Sequence, residues 1–211
     1  MRPIDLSLYL VLDTDLCAGA GMVETARAAV AGGATVVQLR DKHASTADMI
    51  ETGHALKAAL VGTGALLVIN DDVEAAVAIG ADGLHVGQDD MLVRQARERI
   101  GPSMLLGLSV ETEALAAAVD PALVDYAGIG PVFATPTKPD HKQPIGFDGL
   151  GRLTRTCPVP AVAIGGLKAE HVQAVFASGA QGLAVVSAIC GNADPERAAR
   201  AIADRIRRRS V

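Results

Sequence analysis

A chain of 211 residues is the length of one ordinary domain. Hydrophobic residues make up 50% of it, but aromatics are only 2% and Trp is absent, so the core must be built from Ala, Val, Leu and Ile. A net charge of −5 and few stacking rings exclude a general nucleic-acid footprint, although an acidic chain can still hold local cations for a small anionic ligand.

The first run, "MRPIDLSLYLVLD", is apolar but bracketed by Asp5 and Asp13. It is too short for a membrane span and lacks a small-residue cleavage pattern, so it reads as a first strand in a cytoplasmic protein. Seven further apolar runs follow at residues 35–40, 65–70, 83–87, 105–110, 126–130, 161–165 and 183–187. They are continuous rather than cleanly alternating, the pattern of strands buried on both faces. Between them lie Ala-rich amphipathic stretches such as "ETARAAVAGG", "ADMIETGHALKAAL", "DVEAAVAIG", "VRQARERIG" and "AEHVQAVFASG", most of which end in Gly, a helix stop. "AGGATVVQLR", "AIGADGLHVGQ" and "ASGAQGLAVVS" share a helix end, a Gly-Ala step and an apolar run. One βα unit is thus repeated with no linker or composition shift, which predicts a single (β/α)8 TIM barrel over 1–211. An open doubly wound sheet is the alternative. It usually has fewer strands, and no G-x-G-x-x-G follows the first run.

A barrel of this kind places functional groups at the C-terminal ends of its strands. In chain order those ends carry Gln38, Arg40 and Lys42; Asn70 and Asp71; Gln88, Asp89 and Asp90; Ser109; Thr135, Thr137 and Lys138; the "IGG" ending in Gly166; and Ser187. Arg40 and Lys42 are cations beside a buried strand, where an unpaired charge is costly, so an anionic ligand or a neighbouring carboxylate must compensate them. Asp71 and Asp90 fall on adjacent strand ends, and like charges this close call for a cation between them. Mg²⁺ takes one or two carboxylates together with phosphate oxygens and water. Cations for phosphate beside carboxylates for Mg²⁺ point to a diphosphate. The competing role for these acids is helix capping, and Asp72, just before "VEAAVAIG", is expected to be a cap. Gly165, Gly166 and Ser187 form a second candidate anion site, although glycines there can equally be plain turn residues. Small hydroxyls beside a lysine in "GPVFATPTK" fit the same anionic theme. His85 lies inside a strand and reads as a hydrogen-bonded core residue. His43 and His141 fall on loops near the expected mouth, and His54 and His171 look like surface or packing residues. Cys17, Cys157 and Cys190 are odd in number and widely spaced, as in a reducing compartment rather than a disulfide framework or zinc site.

Taken together, "QLRDK", "IND", "GADGLHVGQDD", "GLSV", "YAGIGPVFATPTK", "VAIGGL" and "VVSAI" resemble the thiamine-phosphate synthase family, in the same order and with similar gaps over nearly the whole chain. The resemblance implies transfer of a hydroxymethylpyrimidine group from its diphosphate to thiazole phosphate, giving thiamine phosphate and pyrophosphate. It also implies Mg²⁺ assistance and a pyrimidine carbocation captured by the thiazole nitrogen. On this basis the pyrimidine diphosphate falls to Gln38, Leu39, Arg40, Asp41, Lys42, Asn70, Ser109 and Lys138. The metal falls to Asp71 and Asp90, and the thiazole phosphate to Thr135, Pro136, Thr137, Gly166, Val186 and Ser187. Arg40, Lys42, Ser109 and Lys138 are the expected catalytic groups. The expected partners are these two small molecules, with no nucleic acid and no membrane; oligomeric state is left open. Asp72 and Glu111 depart from what many relatives carry. The rivals are an isomerase of the related thiazole tautomerase branch, which would need a proton-shuttling group and no diphosphate-metal site, and a catalytically silent phosphate-binding protein, which would not need the Asp pair.

Overall fold

Eight parallel strands pair in strict chain order, and β1 (Leu8–Val11) also pairs with β8 (Gly182–Val185), closing the sheet into a barrel. The computed structural model describes residues 4–88, 90–135 and 143–209. The remaining strands are β2 (Val36–Leu39), β3 (Leu66–Asn70), β4 (Gly83–Val86), β5 (Leu105–Val110), β6 (Tyr126–Ile129) and β7 (Ala161–Ile164). The helices are α1 (Met22–Gly32), α2 (Thr46–Leu60), α3 (Val73–Ile79), α4 (Val93–Ile100), α5 (Glu113–Ala117), α6 (Gly146–Thr156), α7 (Val172–Ala177) and α8 (Pro195–Arg209). All eight expected strands are present, with ends shifted by a residue or two. The β1–β8 pairing rules out the open doubly wound sheet, which has two free edges.

Side chains alternate across each strand, which divides the core in two. Leu8, Leu10, Val37, Leu39, Leu67, Ile69, Leu84, Leu106 and Leu183 face outward and pack with the helices. Tyr9, Val11, Val36, Val68, Tyr126, Val162 and Ala184 face inward and fill the barrel. Both faces are buried, which is why the runs read as continuous apolar stretches.

The repeat seen in the sequence has a structural meaning. Gly33 and Gly80 end α1 and α3 at φ 113° and 61°, a left-handed region that suits glycine. The alanine after each bonds back across the helix end, Ala34 N–H to Ala29 C=O and Ala81 N–H to Ala76 C=O, both at 3.0 Å. At the N-terminal rim, Thr35, Asp82 and Asp125 stand before β2, β4 and β6. Each accepts a backbone N–H from the preceding strand: Leu8 at 3.3 Å, Leu67 at 2.9 Å and Leu106 at 2.8 Å. Arg97 joins Asp125 at 2.6 Å and is largely buried with it. This rim is a stability device, as the fold leads one to expect. Cys17, Cys157 and Cys190 are all free and buried. Among the described residues no helix is long and apolar enough to cross a membrane.

Candidate active site

The C-terminal mouth opens into a cavity of about 360 Å³. Residues from every part of the chain line it. Gln38, Arg40 and Lys42 come from β2 and its loop, Asn70 and Asp71 from the end of β3, and Gln88 and Asp90 from the loop after β4. Ser109 and Glu111 come from β5, Thr135 from the loop after β6, Gly165 and Gly166 from the loop after β7, and Val186 and Ser187 from β8's end. The expected convergence is therefore present for these residues.

Two members of the expected set lie elsewhere. Leu39 is fully buried in the outer core, because the alternation that points Gln38 inward points its neighbour outward. Asp41 turns back on its own loop and accepts from the N–H groups of His43 (2.9 Å) and Ala44 (3.2 Å), bonds that contribute to holding its carboxyl below the usual range even as partial burial opposes them. Neither lines the cavity. Pro136, Thr137, Lys138, His141 and Asp89 lie outside the described residues.

Asp71 is presented by a tight turn. Its φ is 63°, Asp72 N–H donates to Asn70 C=O at 2.7 Å, and its own N–H donates to His85 C=O at 2.8 Å. The next residue, Asp72, caps α3 as expected by accepting from Ala75 N–H at 2.8 Å. So the two adjacent aspartates have different duties. Asp90 faces Asp71 and accepts from Gly87 N–H at 2.6 Å. Partial burial, together with the hydrogen bond and negative charge of Asp90, pushes the Asp71 carboxyl up to about 7, against weaker opposition from Asn70 and the Arg40 guanidinium.

Across the mouth, the loop after β7 is pressed against the loop after β6. Val132 N–H donates to Ile164 C=O at 2.8 Å and Phe133 N–H to Gly165 C=O at 3.0 Å. Gly165 and Gly166 have φ 105° and 63°, and a Cβ on either would lie 2.7–2.8 Å from Pro131 Cα or Ala134 O. Only glycine permits this approach, which packs Gly166 against Phe133 and Ala134, just before Thr135. After β8, Ile189 and Cys190 N–H both return to Val186 C=O at 3.0 and 2.8 Å, forming a helical turn headed by Ser187.

The cavity floor is polar where the sequence pattern shows only strands. His85 is a hydrogen-bonded core residue as expected, with Nδ1 3.2 Å from Tyr126 Oη and Nε2 3.0 Å from Ser109 Oγ. Tyr9 and Gln88 also line the cavity, and Gln88 Nε2 donates to Ser109 C=O at 2.5 Å. Gln88 was expected at the rim from its place after the β4 run, whereas sequence reasoning missed Tyr9 and the role of Tyr126. A signal was available: the chain has only two tyrosines, and both stand inside apolar strand runs.

Comparison with known proteins bears on this geometry. Residues 8–189 match the family model described as thiamine monophosphate synthase. The thiamine-phosphate synthases of Xanthobacter autotrophicus and a Psychrobacter strain are 51% and 49% identical to the chain, covering 95% and 92% of each partner. The solved thiamine phosphate pyrophosphorylase of Pyrococcus furiosus superposes with a TM-score of 0.88 at 34% identity, over 97% of both chains. The chain belongs to the thiamine monophosphate synthase family. That membership makes it a transferase of thiamine biosynthesis.

The thiamine monophosphate synthase cavity has the chemistry to hold a hard cation. Asp71 and Asp90 supply two oxygen donors close enough to share a hydrogen bond, and their mutual repulsion is what a divalent ion would relieve. Among the described residues no cluster of three His, Cys, Asp or Glu is present. Two carboxylates, with the other positions left to water and phosphate, is the mode Mg²⁺ favours.

Proposed function

We propose that this family member transfers the hydroxymethylpyrimidine group from its diphosphate to thiazole phosphate, with Mg²⁺ at Asp71 and Asp90, releasing pyrophosphate. The observation that carries the reading is the Asp71–Asp90 pair in one mouth with Arg40, Lys42 and Ser187. A phosphate-binding protein has no need of paired carboxylates, and a tautomerase has no need of a diphosphate-metal site.

The reaction breaks the bond between the pyrimidine methylene carbon and the diphosphate oxygen. The electron pair leaves with pyrophosphate, and the thiazole nitrogen then forms a C–N bond to the pyrimidine carbocation. Bound Mg²⁺ would supply charge neutralisation on the departing oxygens. Arg40 and Lys42 add fixed positive charge to the same leaving group. Lys138 is assigned to this task by the sequence resemblance, as are Thr137 and Pro136 to the acceptor phosphate. Gln38, Asn70 and Ser109, which all line the cavity, hold the pyrimidine part of the donor. Thr135, Gly166, Val186 and Ser187 hold the thiazole phosphate so that its nitrogen, rather than water, meets the cation. The buried free thiols support the reading of a reducing, cytoplasmic setting.

The test is pyrophosphate release from the pyrimidine diphosphate. It should require both Mg²⁺ and thiazole phosphate, with thiamine phosphate formed in equal amount. Release that is indifferent to Mg²⁺, or that yields no thiamine phosphate, would overturn the reading.

A further inference from the structure

Five side chains make one unbroken hydrogen-bond path across the barrel floor. Gln38 Nε2 donates to Tyr9 Oη at 2.8 Å, and Tyr9 Oη lies 2.9 Å from Tyr126 Oη. Tyr126 Oη lies 3.2 Å from His85 Nδ1, and His85 Nε2 lies 3.0 Å from Ser109 Oγ. The path starts and ends on residues that line the cavity, three strands apart. Its interior is buried, though Tyr9 and His85 also border the cavity: Tyr9 and Tyr126 are at most 1% exposed and His85 is 8% exposed.

The strands are cut to fit it. A Cβ on Gly107 would run into the Tyr126 ring and lie 2.5 Å from His85 Nδ1. A Cβ on Gly128 would lie 3.1 Å from His85 Cε1. Glycine weakens a strand interior, so two of them facing one histidine mark space reserved for that ring.

Each interior group has a single hydrogen to give. A hydroxyl has one, and a neutral imidazole has one N–H and one lone pair. Setting one direction therefore sets all the others. With Gln38 donating to Tyr9, Tyr9 donates to Tyr126, Tyr126 to His85 Nδ1, and His85 Nε2–H to Ser109. Ser109 then offers its hydrogen to the cavity, while Gln38 offers its carbonyl oxygen. Turning the Gln38 amide over reverses every step, so that Ser109 offers a lone pair and Gln38 its N–H. In both directions one end is a donor and the other an acceptor. An imidazolium, donating on both sides, would break either pattern.

We propose that Tyr9, Tyr126 and His85 are positioning residues that couple Gln38 and Ser109 into a matched donor–acceptor pair, selecting a ring with both an amino donor and a ring-nitrogen acceptor. The identity of that ring as an aminopyrimidine rests on the transfer reading above. Binding of such a ring chooses the direction of the path, and with it one tautomer of His85.

The experiment uses two probes without diphosphate: 4-amino-5-hydroxymethyl-2-methylpyrimidine and its analogue lacking the amino group. In the whole protein, ¹⁵N NMR reads the tautomer of the His85 ring, assigned by comparison with His85→Asn. The amino probe should drive it to a single tautomer. The wild type should prefer the amino probe by about tenfold or more, because its absence leaves a buried group unpaired. Tyr126→Phe should abolish both the tautomer response and the preference while leaving the protein folded. Tyr9→Phe breaks the same path elsewhere and should do likewise, which keeps the test decisive if one variant fails to fold. A tautomer ratio unmoved by the probe, or a phenylalanine variant that melts earlier but keeps the amino preference, would each overturn the proposal. Failure of the transfer reading is separate, since it shows as absent pyrophosphate release while the amino preference stands.

Discussion

The outward and inward faces of the same eight strands are packed by different rules. Outward, Leu10, Leu39, Ile69, Leu84 and Leu106 are fully buried against helices, and none of these side chains carries a polar atom. Inward, Val36, Val68 and Val162 share the space with Tyr9 and Tyr126, above which come Gln38, His85 and Ser109. The outer layer is non-directional, and its worth scales with area removed from water. The inner layer is directional, since each polar atom must meet its partner, and no buried side-chain nitrogen or oxygen among the described residues lacks one. The outer face therefore holds the barrel together while the inner face is available for recognition.

The sharpest way to break this comparison is at the mouth. Asp90→Asn should lower turnover on the order of 100-fold with the barrel intact by circular dichroism. Normal turnover, with any Mg²⁺ dependence unchanged, would remove Asp90 from the proposed metal site. Next comes the outer layer. Leu84→Ala should cost about 2–5 kcal/mol in chemical denaturation while activity per folded molecule is kept. A parallel loss of activity would show the two faces to be coupled. The inner layer should respond in both respects. Gly107→Ala pushes a methyl into the Tyr126 ring, so about 1–3 kcal/mol of stability and part of kcat/KM should fall together. Unchanged kinetics in that variant would reduce the floor to packing.

The smallest effect concerns pH. The Asp71 carboxyl is raised from 3.8 to about 7, chiefly by burial and then by Asp90. Between those values the folded chain binds a proton that the unfolded chain has released, so stability falls as pH rises through that window. Asp71→Asn should flatten this slope and be more stable than the wild type above pH 7. The difference should be about 1 kcal/mol, because solvent at the mouth screens the pair. Thermal melts at pH 5 and pH 8, with and without Mg²⁺, check it, and Mg²⁺ should reduce the wild-type slope in the same direction.

Much of the site was legible from one rule: polar residues directly after apolar runs gather at one rim. Arg40, Asp71, Asp90, Thr135 and Ser187 all follow it. The rule works because a parallel βα repeat sends every strand end to the same side. The family resemblance took residues 38–42 as one segment and so included Leu39 and Asp41, neither of which lines the cavity, because side-chain direction changes at each residue along a strand. The rule was silent on Tyr9 and Tyr126, whose hydroxyls lie 117 residues apart in the chain and meet only inside the closed barrel.

The order and length of the elements, the helix stops at Gly33 and Gly80, and the cap at Asp72 were decided locally, by periodicity and backbone preference. Which strand faces which, and hence that Asp90 stands against Asp71 and that a hydroxyl path crosses the floor, was decided by closure of the sheet. Contacts across a barrel depend on register and curvature summed over all the strands, and no short stretch of chain contains that sum.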